Sequence, residues 1–386
     1  MEPLPAPAPA GRRRHRAAVV GIVAAVLLAG CGLRLETPPP AEPVPDTVEI
    51  VRRTAVSDAL HVAEQAEAAI QTLDGRRPKL TAELERVAEH SRDQATELGG
   101  VYDSGLEPEE GADGTPEASP SETPVVPQDV VDALVDASGR SRTAAGTTVD
   151  GPLARLLASV GASQAVSARR VVTFTDGDFP APVVPVIPEP DAATDDDSEG
   201  DDASADEAAS SSLSLLAAPA DEDEDPGPEP AEDGVSSTVP NSDEPAAVPR
   251  GLSAADLRTL VETEDSAGYA LRLRAALTSG DARERLAERA DAHTARGQAW
   301  SLVAGTSRTD QDPRQVAYAV PRGLRDAVLV RSVESSLATT YATLVGTTAP
   351  GTRTVLVDLL VESAITLDDW GAEPAAFPGM PEQQDD

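Results

Sequence analysis

Lysine is almost missing from this 386-residue chain. Lys79 is the only one, and 31 basic residues face 67 acidic ones for a net charge of −36. Phosphate groups are held by clustered Lys and Arg, so nucleic acid and a charge-gripped anionic membrane surface are excluded as partners. Aromatic residues make up 2% of the chain, while proline and glycine number 34 and 28. That balance excludes a single large globule. The lone cysteine, Cys31, excludes an intrachain disulfide and a cysteine zinc site. G-x-S-x-G elbows, Walker loops, G-x-G-x-x-G and H-E-x-x-H are also missing, which removes the usual signatures of hydrolase, nucleotide and zinc-protease chemistry. The chain reads as non-enzymatic, with no cofactor expected.

What is present begins with Arg12, Arg13, Arg14 and Arg16, followed by an apolar run over 17–28. Twelve residues fall short of the roughly 20 that span a bilayer but suit the apolar region of an export signal. The run closes on Leu28-Ala29-Gly30-Cys31, which resembles a bacterial lipobox. The resemblance implies cleavage before Cys31, acylation of its thiol and anchoring on the extracytoplasmic face of the cell membrane. Arg12-Arg13 is only a fragment of a twin-arginine signal. Residues 1–30 thus form a lipoprotein signal peptide. Residues 31–46, with Pro38-Pro39-Pro40 and Pro45, form a stiff extended tether.

The mature chain predicts an all-α fold. Four helices are expected at 48–73, 78–98, 128–146 and 152–170, within an N-terminal bundle over 47–172. A Pro/Glu/Ser/Gly-rich loop, 104–127, interrupts it. Residues 173–250 read as an acidic disordered linker, since no Lys or Arg occurs from 171 to 249. Its Asp runs lack calcium-loop spacing. Four further helices are expected at 253–278, 281–303, 323–345 and 352–370, forming a bundle over 251–380 with a short tail, 381–386. Six aromatics fall there: Tyr269, Trp300, Tyr318, Tyr341, Trp370 and Phe377. The C-terminal bundle is therefore expected to have the better core.

Each C-terminal helix carries one polar side chain on its apolar stripe: Glu264, His293, Glu334 and Glu362. Four-helix bundles build metal sites at such positions. A di-iron centre also needs Glu-x-x-His on two helices. Ala290 precedes His293 by three and Ile365 follows Glu362 by three, so the dinuclear set is incomplete. Three readings stay open. Glu264, His293 and Glu334 hold a single ion, or form a buried hydrogen-bonded cluster without metal, or flank the stripe and reach solvent. His61 and His90, on the N-terminal helices, read as surface or core residues rather than ligands.

Glu264 with Tyr269, His293-x-x-Arg296, Glu334 with Tyr341, and Trp370 followed by Phe377-Pro378-Gly379 together resemble an actinobacterial ferritin-like domain, a domain-of-unknown-function family. The resemblance covers 254–380 and implies a ferritin-like four-helix bundle on an exported lipoprotein. Two departures stand out: Asp265 where His is expected, and Gly297-Gln298 where Arg-Asp is expected. Glu89-His90 and residues 152–159 resemble the helical region preceding that domain, which implies a second, more degenerate bundle at the N-terminus. Two functions from different classes follow. One is a membrane-anchored interaction or structural protein with an unidentified protein partner. The other is a metal-handling protein using Glu264, His293 and Glu334.

Overall fold

The structure is a computed structural model and describes residues 44–73, 75–104, 124–175, 177–189 and 248–383. The signal peptide, Cys31, the tether up to residue 43, loop residues 105–123, linker residues 190–247 and tail residues 384–386 lie outside the described residues. Among the described residues all regular structure is helical: α1 (Thr47–Thr72), α2 (Pro78–Glu97), α3 (Pro127–Thr147), α4 (Gly151–Val172), α5 (Ala254–Ala276), α6 (Asp281–Val303), α7 (Asp326–Thr347) and α8 (Thr354–Asp369), with a 3₁₀ turn at Pro381–Gln383. No helix among them is long and apolar enough to cross a membrane.

Local chemistry sets the helix ends. Asp46, Asp150 and Ser253 cap α1, α4 and α5 by accepting from the backbone N–H of Glu49, Leu153 and Asp256. Asp256 returns the bond to Ser253 N–H at 2.8 Å, completing a capping box. Prolines open α2, α3 and α4, where their missing N–H costs nothing. Helix α7 starts at Asp326 rather than at the expected 323, because Gly323 adopts a left-handed φ of 79° and keeps the chain out of the helix.

All eight helices belong to one compact unit. Sequential helices pair as hairpins, α1 on α2, α3 on α4, α5 on α6 and α7 on α8. Helix α1 also lies on α3, α2 on α4, and α5 on α7. The halves then meet through α4, which packs on α7 and α8, and through α3 on α8. One apolar cluster runs from Ala55 and Val56 of α1 through Leu157 and Ala162 of α4 to Leu337 of α7 and Leu356 of α8. Ion pairs cross the same junction. Arg170 of α4 holds Glu83 of α2 at 2.8 Å and Asp368 of α8 at 2.7 Å. Arg142 of α3 holds Asp358 of α8 at 2.7 Å.

Two further segments are part of this unit, the first of them assigned by composition to the linker. In the 173–250 stretch, Phe174 packs on the N-terminal core and Val183 and Ile187 on the shared core. The reason lies in its first residues, where Val183, Val184, Val186 and Ile187 sit between prolines ahead of the acidic run. The C-terminal strand of chain after α8 crosses back over the N-terminal helices: Ser159 Oγ donates to the Pro378 carbonyl at 2.8 Å and Ser163 Oγ to that of Ala375 at 3.0 Å.

Close approach at the junction depends on glycine. A Cβ on Gly151, at the start of α4, would lie 2.1 Å from the Gly346 carbonyl oxygen of α7. Gly139, inside α3, has open space where its Cβ would be. Gly151→Ala is therefore expected to destabilise by about 1–3 kcal/mol, the usual cost of overpacking. Gly139→Ala is expected to stabilise by up to about 1 kcal/mol through helix propensity. Thermal melting of the two variants checks both signs, and an unchanged melting temperature for Gly151→Ala would contradict the α4–α7 contact.

Candidate functional site

The polar residues expected on the C-terminal stripes converge. Glu264 of α5, His293 of α6 and Glu334 of α7 have no solvent exposure. His293 Nδ1 lies 2.7 Å from Glu264 Oε2, and Nε2 lies 3.1 Å from Glu334 Oε1. Tyr341 of α7, also fully buried, donates its hydroxyl to Glu264 Oε1. The reading in which these side chains reach solvent is thus overturned for Glu264 and Glu334, because both stripes face the bundle axis rather than its rim.

Two arginines complete the network. Arg289, one turn before His293, donates Nε and Nη2 to the two oxygens of Glu334, the latter at 2.8 Å. Its Nη1 reaches Glu362 Oε1 of α8 at 2.6 Å. Arg296 donates Nη2 to the other oxygen, Glu362 Oε2. The result is one unbroken chain, Tyr341–Glu264–His293–Glu334–Arg289–Glu362–Arg296, tying all four C-terminal helices together. Glu362 is its least buried carboxylate, with a quarter of its side chain exposed.

Electrostatics assigns the protons. A neutral imidazole has one N–H, and here both ring nitrogens face carboxylate oxygens. Burial alone would push the imidazolium down, but the hydrogen bonds to Glu264 and Glu334 outweigh it and raise His293 above its ordinary 6.5. Burial likewise pushes Glu334 up, and Arg289 and His293 reverse this to hold it at about 2. Burial, aided by Glu264, pushes the Tyr341 phenol well above 10, so it stays a donor. With His293 protonated, three carboxylates balance one imidazolium and two guanidiniums, and the cluster is neutral.

This geometry does not fit a dinuclear metal centre. Glu264 and Glu334 sit on opposite edges of the His293 ring, so one ion cannot touch all three groups. Both oxygens of Glu334 and both of Glu362 already accept from guanidinium nitrogens. Among the described residues no group of three or more His, Cys, Asp or Glu side chains is arranged to hold a metal ion.

Residues 256–382, from the first turn of α5 to the C-terminal turn, match the family model described as Domain of unknown function (DUF4439). That match names no activity. No curated protein and no solved structure matches the chain.

The two departures noted in the sequence have structural reasons. A Cβ on Gly297 would lie 3.2 Å from the Asp265 backbone nitrogen, so glycine lets α6 press against α5 at that point. Asp265 accepts from the Tyr318 hydroxyl at 2.7 Å, fastening the long α6–α7 connection. Gln298 fastens it again, through Ser307 Oγ at 3.1 Å and the Arg314 guanidinium. Of the N-terminal histidines, His61 is exposed, and His90 is partly buried on α2 with Nδ1 unpartnered.

Sequence reasoning missed Arg289. A stripe of apolar and metal-capable residues does not single out an arginine, which on a helix is ordinarily a solvated side chain. The signal was nonetheless there, since Arg289, His293 and Arg296 follow at i, i+4 and i+7 and share one helix face.

The pH dependence follows from these shifts. A depressed carboxylate contributes stability that is full above pH 4.5 and is lost as pH falls toward 2. The raised imidazole contributes stability that is full below pH 6.5 and is lost as pH rises through its folded value. His90, lowered by burial first and Arg86 next, acts in the opposite sense, stabilising above 6.5. Melting curves in a His90→Gln background should therefore show greatest stability between about pH 5 and 6.5 with losses on both sides. A flat profile above pH 6.5 would show His293 to be neutral.

Glu334→Leu is expected to leave Arg289 Nε and Nη2 and His293 Nε2 without their acceptor, at about 1–3 kcal/mol for each residue. Glu334→Gln keeps the shape and one acceptor and should cost distinctly less. Denaturant titration of both variants checks the order.

Proposed function

We propose that the protein is an exported lipoprotein, anchored through Cys31 on the extracytoplasmic face of the cell membrane, and acting as a non-enzymatic interaction or structural protein. On this reading α5–α8 form a ferritin-like four-helix bundle in which a neutral charge cluster stands where related architectures keep metal. Helices α1–α4 form a second, degenerate bundle, a reading supported by their closed pairing α1–α2–α4–α3. The basic start, short apolar run and lipobox support the anchor. The acidity supports a head held away from anionic headgroups, since removing 1–30 takes four arginines and only one acid, Glu2.

The observation that carries the non-metal, non-enzymatic side is the occupation of every Glu334 and Glu362 oxygen by a guanidinium donor. A reactive centre needs an open coordination position or a free base, and this cluster offers neither.

Three measurements test the proposal. A diacylglyceryl group buries two chains at about 0.8 kcal/mol per CH₂, enough for stable anchoring. Cys31→Ala should therefore move the protein out of the membrane fraction or leave an uncleaved precursor, and a processed, membrane-bound variant would end the lipoprotein reading. Elemental analysis of protein purified without chelator should find no stoichiometric metal. A chelator should leave the melting temperature unchanged, because only an ion bound to the native state would stabilise it. A drop of several degrees on chelation, restored by one divalent ion and missing in Glu334→Gln, would establish the metal-handling reading instead.

A further inference from the structure

At the junction of the two halves lies a cavity of about 450 Å³, walled by α3, α4, α6, α8 and the segment 180–185. Its apolar lining includes Val135, Ala165, Ala168, Val183 and Ile365. The 180–185 wall contributes three prolines, which carry no backbone N–H. The lining side chains with several N–H donors are those of Arg142, Arg169 and Arg296.

Those arginines are incompletely satisfied. Arg142 gives Nη2 to Asp358, yet its Nε is buried with no hydrogen-bond partner among the described residues. Arg296 gives Nη2 to Glu362, yet its Nη1 is likewise buried and unpartnered. The other oxygen of Glu362 accepts from Arg289. Arg169 stands 3.6 Å from Asp369. Each lining guanidinium has a carboxylate beside it, Asp358 for Arg142, Asp369 for Arg169 and Glu362 for Arg296, so what the cavity leaves open is hydrogen-bond donors rather than net charge. Buried donors without acceptors are rare in folded proteins, and two from opposite halves beside one cavity mark a place for an acceptor from outside the chain.

We propose that this cavity binds a small molecule carrying a single carboxylate on an apolar body. The two orphaned guanidinium N–H groups match the two oxygens of one carboxylate, and the aliphatic walls match the body. The volume lies within the roughly 300–1,000 Å³ of small-molecule sites. The inference goes beyond the lipoprotein reading and holds with or without the anchor.

Isothermal titration calorimetry of the purified full chain tests it, with octanoate as the probe beside 1-octanol and inorganic phosphate. Octanoate should bind saturably at one site, 1-octanol at least tenfold more weakly, and phosphate not at all. Arg142→Gln should weaken octanoate at least tenfold. Because that change also breaks the Asp358 pair, Ala165→Phe is the second variant. It fills the cavity from a partly buried position that makes no side-chain hydrogen bond, and should abolish binding while the circular dichroism stays helical. Any association with the apolar run 17–28 would survive in that variant. No saturable heat, equal affinity for octanoate and octanol, or unchanged binding by folded Ala165→Phe would each overturn the proposal.

Discussion

Glu264 and Glu334 are removed from water completely, and neither can stay ionised there without a cation in contact. His293 is the one residue placed to serve both, one carboxylate at each ring nitrogen. It does so only as the imidazolium. That proton leaves Glu334 sharing a single positive charge with Glu264, so Arg289 is needed on its other side. Arg289 then brings Glu362, and Glu362 brings Arg296. Each member of the chain is required by the one before it. Buried ion pairs of this kind add little net stability over apolar residues, but they penalise every register that breaks them. The cluster thus acts chiefly to fix how α5, α6, α7 and α8 sit on one another.

The scarcity of aromatics has its counterpart in how closely the helices approach. Helix α4 is the central column, touching α2, α3, α7 and α8, and its buried positions are mostly small: Ala154, Ala158, Gly161, Ala162, Ser163 and Ala168. Small side chains bring backbones near enough for Ser138 of α3 to donate to the Gly161 carbonyl at 2.7 Å. Dense contact between backbones replaces the large apolar area that Trp and Phe would bury. The same economy appears between α5 and α6, where Gly268 and Gly297 each let the partner helix in.

Helix existence and extent were legible because local signals agreed. Ser253 with Asp256, the prolines at 78, 127 and 152, and the Gly99-Gly100 stop all act within a few residues. The convergence of Glu264, His293 and Glu334 was legible too, as polar residues interrupting apolar stripes. What closed the cluster was not, because Arg289 looks like any helical arginine until its partners on α7 and α8 are brought to it. The docking of the halves was hidden for a different reason. It rests on Gly151 meeting Gly346 and on Arg170 spanning Glu83 and Asp368, pairings far apart in sequence that no periodicity encodes. Composition also misled at 177–189, where the acidic average of the linker masked a Pro/Val/Ile stretch that packs on the shared core.

A guanidinium and a metal ion solve the same electrostatic problem for a bundle that buries carboxylates on several helices. They differ in what they leave available. An ion with an open position can exchange ligands and electrons, whereas Arg289 spends its donors on Glu334 and Glu362 in fixed planar geometry. The chain of charges therefore ends in chemistry only where it runs out of partners. That place is the far side of Arg296, whose Nη1 has no acceptor among the described residues and which lines the cavity between the halves. The cluster spends its carboxylates within the bundle, and the residue that terminates it brings one unpartnered N–H to the junction.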